Sequence, residues 1–228
     1  TTKIHVAWGS VAPFATSYQL WRNTIPDIDS AVQLVYTYET EFDDTSVTRG
    51  GTYYYWARSV NDHGLSTFTG PDGGGTPALM PTGLTAGKGT YADRIHVTWN
   101  AAYGATSYRL LRGTTIDPTF ATVVGTFVDT SYDDFNTQPG MTYYYWAQSI
   151  NAYGISGMSG TDGGWVSLSP PSGVDASDGI YTNRVRVAWL PASGATTYEL
   201  WRNTENNSAT ASRLVFTTDL YFDDTVVD

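Results

Sequence analysis

Pairs of aspartates recur along this chain at Asp43-Asp44, Asp133-Asp134 and Asp223-Asp224, each pair ninety residues from the next. Clustered carboxylates in a loop can chelate calcium, which takes hard oxygen ligands, about six to eight of them. The flanking runs Thr45-Ser46-Val47 and Phe135-Asn136-Thr137 supply no further carboxylate in the Asp-x-Asp spacing of a calcium loop. The six aspartates are therefore weak calcium candidates. The favoured reading is structural: one member of each pair accepts backbone N–H bonds at a turn while its neighbour faces water. No other cofactor is indicated.

The remaining chemistry-bearing residues point away from catalysis. His5 and His96 occupy equivalent positions, but Arg186 stands there in a third copy, which fits a solvent-facing side chain, and His63 is alone. No three-His set exists for a metal, and no Ser, His and Asp recur in an order that would build one nucleophilic site. Thr114-Thr115 and Ser156-Gly157 match no nucleophile motif. The chain is expected not to be an enzyme. Asn206-Asn207-Ser208 is an acceptor pattern for N-glycosylation, which makes Asn206 a modification candidate.

All of these residues sit in a repeat. Lys3-Ile4-His5-Val6-Ala7-Trp8 returns as Arg94-Ile95-His96-Val97-Thr98-Trp99 and as Arg184-Val185-Arg186-Val187-Ala188-Trp189. Tyr18-Gln19-Leu20-Trp21-Arg22-Asn23 aligns with Tyr108-Arg109-Leu110-Leu111-Arg112-Gly113 and Tyr198-Glu199-Leu200-Trp201-Arg202-Asn203. Nine residues after Asp44 and Asp134 come Tyr53-Tyr54-Tyr55-Trp56-Ala57 and Tyr143-Tyr144-Tyr145-Trp146-Ala147, and the third copy stops before its aromatic block. Self-similarity at a long fixed period marks tandem modules. The expected boundaries are 1–78 for a module lacking its first strand, 79–168 for a complete one, and 169–228 for one lacking its last strands. A module without its last strands exposes half a core. The sequence is thus expected to be a window on a longer repetitive protein, or to be completed by a neighbouring chain.

Composition bounds the class. With 41% hydrophobic and 14% aromatic residues, 228 residues can bury small cores, about two and a half of them at this period. No apolar run approaches the roughly eighteen residues of a membrane span, so no membrane insertion is expected, and no secretory leader is present at Thr1. Zero Cys excludes disulfides and thiol chemistry but is compatible with export. The formal charge of −10 and only two Lys argue against nucleic acid, which needs clustered cations. Because Lys3 aligns with Arg94 and Arg184, and Lys88 with Asp178, no repeated Lys is available for an isopeptide crosslink. An acidic, Thr- and Tyr-rich, Lys-poor chain suits an extracellular or cell-surface setting.

The strands are read from period-two alternation, as in Ile4, Val6 and Trp8 against His5 and Ala7. No stretch of ten or more residues shows a helical stripe. Asn61-Asp62-His63-Gly64 and Asn151-Ala152-Tyr153-Gly154 read as hairpin loops, while Gly70-Pro71-Asp72-Gly73-Gly74-Gly75 and Ser169-Pro170-Pro171-Ser172-Gly173 read as inter-module linkers. Short strands separated by turn signals predict an all-β sandwich.

The Trp at positions 8, 99 and 189, the Tyr-x-Leu of Tyr18/Leu20, Tyr108/Leu110 and Tyr198/Leu200, and Pro139-Gly140-Met141-Thr142-Tyr143 entering an aromatic strand together resemble the fibronectin type III family and its tyrosine corner. The resemblance covers nearly the whole chain and implies tandem immunoglobulin-like β-sandwiches. The first copy departs from the pattern at Arg49-Gly50-Gly51-Thr52, read as Gly50 in place of the corner Pro, and no Arg-Gly-Asp occurs. In this family the third and sixth strands are neighbours. With Tyr143, Tyr145 and Ala147 inward, Tyr144 and Trp146 point outward, and Tyr54 and Trp56 likewise. Exposed aromatic faces are therefore expected at Trp21, Tyr54 and Trp56, at Leu111, Tyr144 and Trp146, and at Trp201.

Repeated apolar faces on a soluble chain mark contacts. Identical modules at fixed spacing favour self-association into an extracellular fibre or surface array, with strand complementation of the broken third module by a neighbour. The alternative is a polysaccharide-contacting spacer of a multidomain hydrolase or adhesin.

Overall fold

The computed structural model describes residues 2–226. β-branched and aromatic residues alternate with polar ones in short runs broken by Gly, Pro, Asn and Asp, so the chain forms short antiparallel strands. Helix is confined, among the described residues, to single 3-10 turns at Pro118–Phe120 and Ser208–Thr210.

The middle set of strands comprises β8 (Thr82–Ala86), β9 (Ile95–Asn100), β10 (Ser107–Gly113), β11 (Thr122–Phe127), β12 (Ser131–Asp134), β13 (Tyr143–Asn151), β14 (Gly154–Ile155) and β15 (Asp162–Gly164). One sheet runs β12-β9-β8; the other runs β11-β10-β13-β14, with β15 also paired to β13. The inward residues of each strand meet between the sheets. Ile95, Val97, Leu110, Tyr145 and Ala147 are fully buried, and the Trp99 ring meets Tyr108 edge-on at 5.8 Å. Each such aliphatic side chain contributes about 1.5–3 kcal/mol through burial.

The first set repeats this plan with β1 (Ile4–Ala7), β2 (Ser17–Asn23), β3 (Val32–Thr37), β4 (Glu41–Asp44), β5 (Thr52–Asn61), β6 (Gly64–Leu65) and β7 (Thr69–Gly75). β1 pairs with β4, while the second sheet runs β3-β2-β5-β6 with β7 also on β5. The third set has β16 (Ser172–Ala176), β17 (Val185–Leu190), β18 (Tyr198–Arg202), β19 (Ser212–Thr217) and β20 (Tyr221–Asp224), in sheets β16-β17-β20 and β18-β19. Val185, Val187 and Leu200 are only half-buried there, because no strand among the described residues lies along the second edge of β18. In all three sets the pairing of β2, β10 or β18 with the strand that follows it shifts at one point, between Leu20 and Trp21, Leu110 and Leu111, and Leu200 and Trp201.

Two expectations change. Gly70–Gly75 is not a linker: it lies within β7, and its residues Asp72–Gly75 pair with Thr52–Tyr55 of β5. Glycine serves there because neighbours crowd the strand; a Cβ on Gly74 would lie 3.1 Å from the Ile4 side chain and one on Gly75 2.1 Å from the Tyr153 ring. Likewise Ser172 and Gly173 belong to β16. At the corner, Gly50 and Gly140 share φ values of +81° and +82°, so Gly50 occupies the place of Gly140 and it is Arg49 that replaces Pro139. A left-handed residue at the third position of a type II turn favours Gly. The corner then closes on tyrosine: Thr48 N–H donates to the Tyr53 hydroxyl at 2.7 Å and Gln138 N–H to the Tyr143 hydroxyl at 3.3 Å.

Tyr143→Phe should cost the middle set about 1 kcal/mol, the usual net value of one hydrogen bond. Faster exchange of the Gln138 amide is the readout, and unchanged protection of that amide would contradict it.

Candidate functional site

The aspartate pairs divide between two roles because adjacent residues on a strand face opposite ways. Asp44, Asp134 and Asp224 point inward and are buried, at 1%, 1% and 4% exposure. Across the sandwich, strands β2 and β10 present an inward Arg two residues beyond the inward Leu. Arg22 Nη1 donates to Asp44 Oδ2 at 2.7 Å, Arg112 Nη1 to Asp134 Oδ2 at 2.8 Å, and Arg202 Nη1 to Asp224 Oδ2 at 2.7 Å. The same oxygen accepts from Tyr55 Oη at 3.0 Å and from Tyr145 Oη at 2.9 Å. The other oxygen caps the turn, accepting from the backbone N–H of Ser46, Asn136 and Val226 at 3.0, 3.0 and 3.1 Å.

Electrostatics follow from this geometry. Burial pushes the Asp44 carboxyl up, but hydrogen bonds from the Ser46 hydroxyl, Arg22, the Ser46 amide and Tyr55 outweigh it and hold the group below the ordinary carboxylate value. Burial, then Asp44 beside it, pushes the Tyr55 hydroxyl well above the usual phenol range, and burial followed by Asp134 does the same to Tyr145. These phenols stay protonated and act as donors.

The outer aspartates bond surface side chains. Asp43 takes Lys3 at 2.5 Å and His5 Nδ1 at 2.9 Å; Asp133 takes His96 Nδ1 at 2.7 Å; Asp223 takes Arg186 through two bonds of 2.7 Å. His5, His96 and Arg186 thus share a role as partners of the outer aspartate, while His63 is exposed. A cation at an inner aspartate would have to displace an arginine already seated there. Among the described residues no three His, Cys, Asp or Glu side chains converge. Asn206 is exposed, and its neighbour Asn207 accepts the Ala209 N–H at 3.0 Å to open the 3-10 turn.

The aromatic faces are paired as the alternation requires, with Trp21 opposite Trp56, Asn23 opposite Tyr54, Leu111 opposite Trp146 and Gly113 opposite Tyr144. Their exposure is the correction. Trp56, Leu111 and Trp146 are 4%, 7% and 4% exposed, and Trp21, Tyr54 and Tyr144 are half-buried. The outer face is roofed by local chain. The loop after β10 folds back so that a Cβ on Gly113 would lie 3.5 Å from the Trp146 ring and 3.7 Å from Ala121 Cα. In the first set a Cβ on Gly70 would lie 3.3 Å from Trp56, the Phe68 ring meets Trp21 edge-on at 5.6 Å, and the Arg58 guanidinium covers Phe68 at 4.6 Å. Trp201 stays 52% exposed, since β18 has no strand on that side among the described residues.

No family model matches the chain, and no curated protein matches it. Among solved structures it is similar to an Fn3-like protein from Clostridium thermocellum, 29% identical, covering 40% of this chain and 95% of that one at a TM-score of 0.36. A two-domain fibronectin type III segment of chicken tenascin is 18% identical, covering 71% and 91%, at a TM-score of 0.45. The FN1–FN3 segment of chicken contactin is 14% identical, covering 98% and 84%, at a TM-score of 0.36.

Asp134→Ala leaves Arg112 without its partner and should destabilise the middle set by about 3–5 kcal/mol, whereas Asp133→Ala, which breaks exposed pairs, should cost less than about 1 kcal/mol. Urea unfolding of the two variants compares them, and equal losses would refute the division of roles. Trp146→Ala should cost about 3–5 kcal/mol as a buried deletion; a variant as stable as the parent would mean the ring is free.

Proposed function

We propose that this chain, a tandem of fibronectin type III-like sandwiches, is a non-enzymatic structural protein: a repeat segment of an extracellular fibre or cell-surface array that sets modules in series at fixed spacing. The observation that carries this reading is the segment between the first two sets, Thr76 to Pro81, whose backbone is bonded to the second set although Leu79 and Met80 keep exposed side chains. Ala78 is 0% and Thr76 3% exposed. Asn151 Nδ2 donates to the Thr76 carbonyl at 3.0 Å, the Ser149 hydroxyl donates to the Leu79 carbonyl, and Leu79 N–H donates to the Tyr103 carbonyl at 3.1 Å. Independent domains are tied by exposed linkers that few contacts cross. Here the second set bonds the backbone of the link itself.

The chemistry-bearing residues are consumed in construction, Asp44 and Asp134 in the inter-sheet ion pair and Trp56 and Trp146 under local roofs. That supports a scaffold. Repeated module faces support self-association through heterologous contacts, and the open edge of β18, lined by Val185, Val187 and Leu200, is suited to a strand from a neighbour. No helix among the described residues is long and apolar enough to cross a membrane. The acidic, Lys-poor composition supports an exposed setting.

A polysaccharide-contacting spacer is the second reading, favoured by the outward rings of Trp201 and Trp165 at 52% and 42% exposure. Small-angle scattering combined with electron microscopy of the full chain should show an extended particle with a fixed centre-to-centre distance between the first two modules. A broad distribution of that distance would overturn the array reading, and retention on insoluble polysaccharide that is lost in Trp201→Ala would favour the spacer.

A further inference from the structure

The two junctions between successive sets share one contact, ninety residues apart. At the first, Gly50 of the corner before β5 lies against Gly104 of the turn before β10. At the second, Gly140 of the corner before β13 lies against Gly194 of the turn before β18. All four glycines have positive φ, between +77° and +82°. The approach is backbone to backbone: a Cβ on Gly104 would lie 2.3 Å from the Gly50 carbonyl oxygen and 2.6 Å from its Cα, and one on Gly194 would lie 2.4 Å from the Pro139 carbonyl carbon. Each turn is pinned from below by a tyrosine, with Ala102 N–H donating to Tyr108 Oη at 3.0 Å and Ala192 N–H to Tyr198 Oη at 3.2 Å.

The second junction isolates this contact from the others. Its linker is mostly exposed, and no counterpart of Asn151 or Tyr153 reaches it among the described residues, yet the glycine pair is in place. The first set differs at the same position. Its turn is one residue longer between the Trp and the Tyr, Val11 N–H donates to Tyr18 Oη at 3.1 Å, and the glycine tip is replaced by Pro13 and Phe14, the latter four residues before the Tyr as Gly104 is and 78% exposed. Asn61, equivalent to Asn151, donates to the Phe14 carbonyl at 2.8 Å instead of to an adjoining linker.

We infer that the glycine pair is a docking key for module–module contact: the corner of one module receives the glycine-tipped turn of the next. Phe14 removes the key from the first set, which therefore offers a corner but no docking turn. The partner that fits a corner is a module of this same type with glycine at the turn tip. Docking runs in one direction along the chain, and a second copy does not seat the Phe14 turn in a corner. This inference rests on the array reading above.

The test is small-angle scattering of the full chain and three variants, with near-ultraviolet circular dichroism to verify folded modules. Gly104→Phe installs the residue of the first set. Gly104→Asn adds a Cβ at the contact while keeping a residue that tolerates left-handed backbone, so it separates contact from strain and serves if the Phe variant misfolds. Gly179→Ala is the control, because Gly179 has φ +64° and nothing within 4 Å of an added Cβ. Both Gly104 variants should broaden the distance distribution between the first two modules, and Gly179→Ala should not. A narrow distribution retained in both Gly104 variants overturns the key and leaves the array reading standing. A distribution already broad in the parent chain overturns both.

Discussion

Each sandwich is organised around one buried charge pair that spans its two sheets. Asp44 comes from the sheet of β1 and β4, and Arg22 and Tyr55 come from the sheet of β2 and β5; Asp134, Arg112 and Tyr145 repeat the arrangement. Taking two charges out of water is costly, and their mutual attraction roughly offsets that cost when every lone pair is satisfied. Here the carboxylate accepts from a guanidinium, a phenol and a turn amide together, so the pair permits one register between the sheets and penalises any slip that leaves a charge alone. The apolar core supplies most of the driving force, but it is tolerant of small shifts. The ion pair is not.

That constraint accounts for where the aspartates of each pair are engaged. The inner carboxylates are engaged in holding sheets together and the outer ones in bonding surface Lys, His and Arg side chains. The outward aromatic residues cover one another across neighbouring strands and are then covered by the loop that follows. What remains available is shape: corners and turns at the two ends of each sandwich. The glycines there have no side chain, which lets one module bring its backbone against the backbone of the next. Burial of Ala78 and the bonds to Thr76 and Leu79 complete the first junction.

Much of this was legible in the residues alone. The ninety-residue period is legible as self-similarity and the all-β class as alternation and turn chemistry, which are local rules, while the inward Trp, the inward Tyr-x-Tyr-x-Ala and the tyrosine corner were legible through the resemblance to the fibronectin type III pattern. The inter-sheet ion pair was legible in principle, since Arg22 shares the inward parity of Tyr18 and Leu20 just as Asp44 shares that of Phe42; an inward Arg and an inward Asp at matching repeats must find each other. What sequence could not decide was accessibility. Alternation correctly turned Trp56 and Trp146 away from the core, but whether a neighbouring segment folds back over them depends on its path in space, which no two-residue period records. Gly70–Gly75 reads as a linker by composition and becomes a strand because β5 offers a free edge, with Ile4 crowding Gly74 and the Tyr153 ring crowding Gly75. The sequence by itself determined which way each side chain faces, because that is set by the two-residue period of the strand. Only the tertiary structure decided what lies in front of it, because burial depends on surfaces brought together by long-range packing.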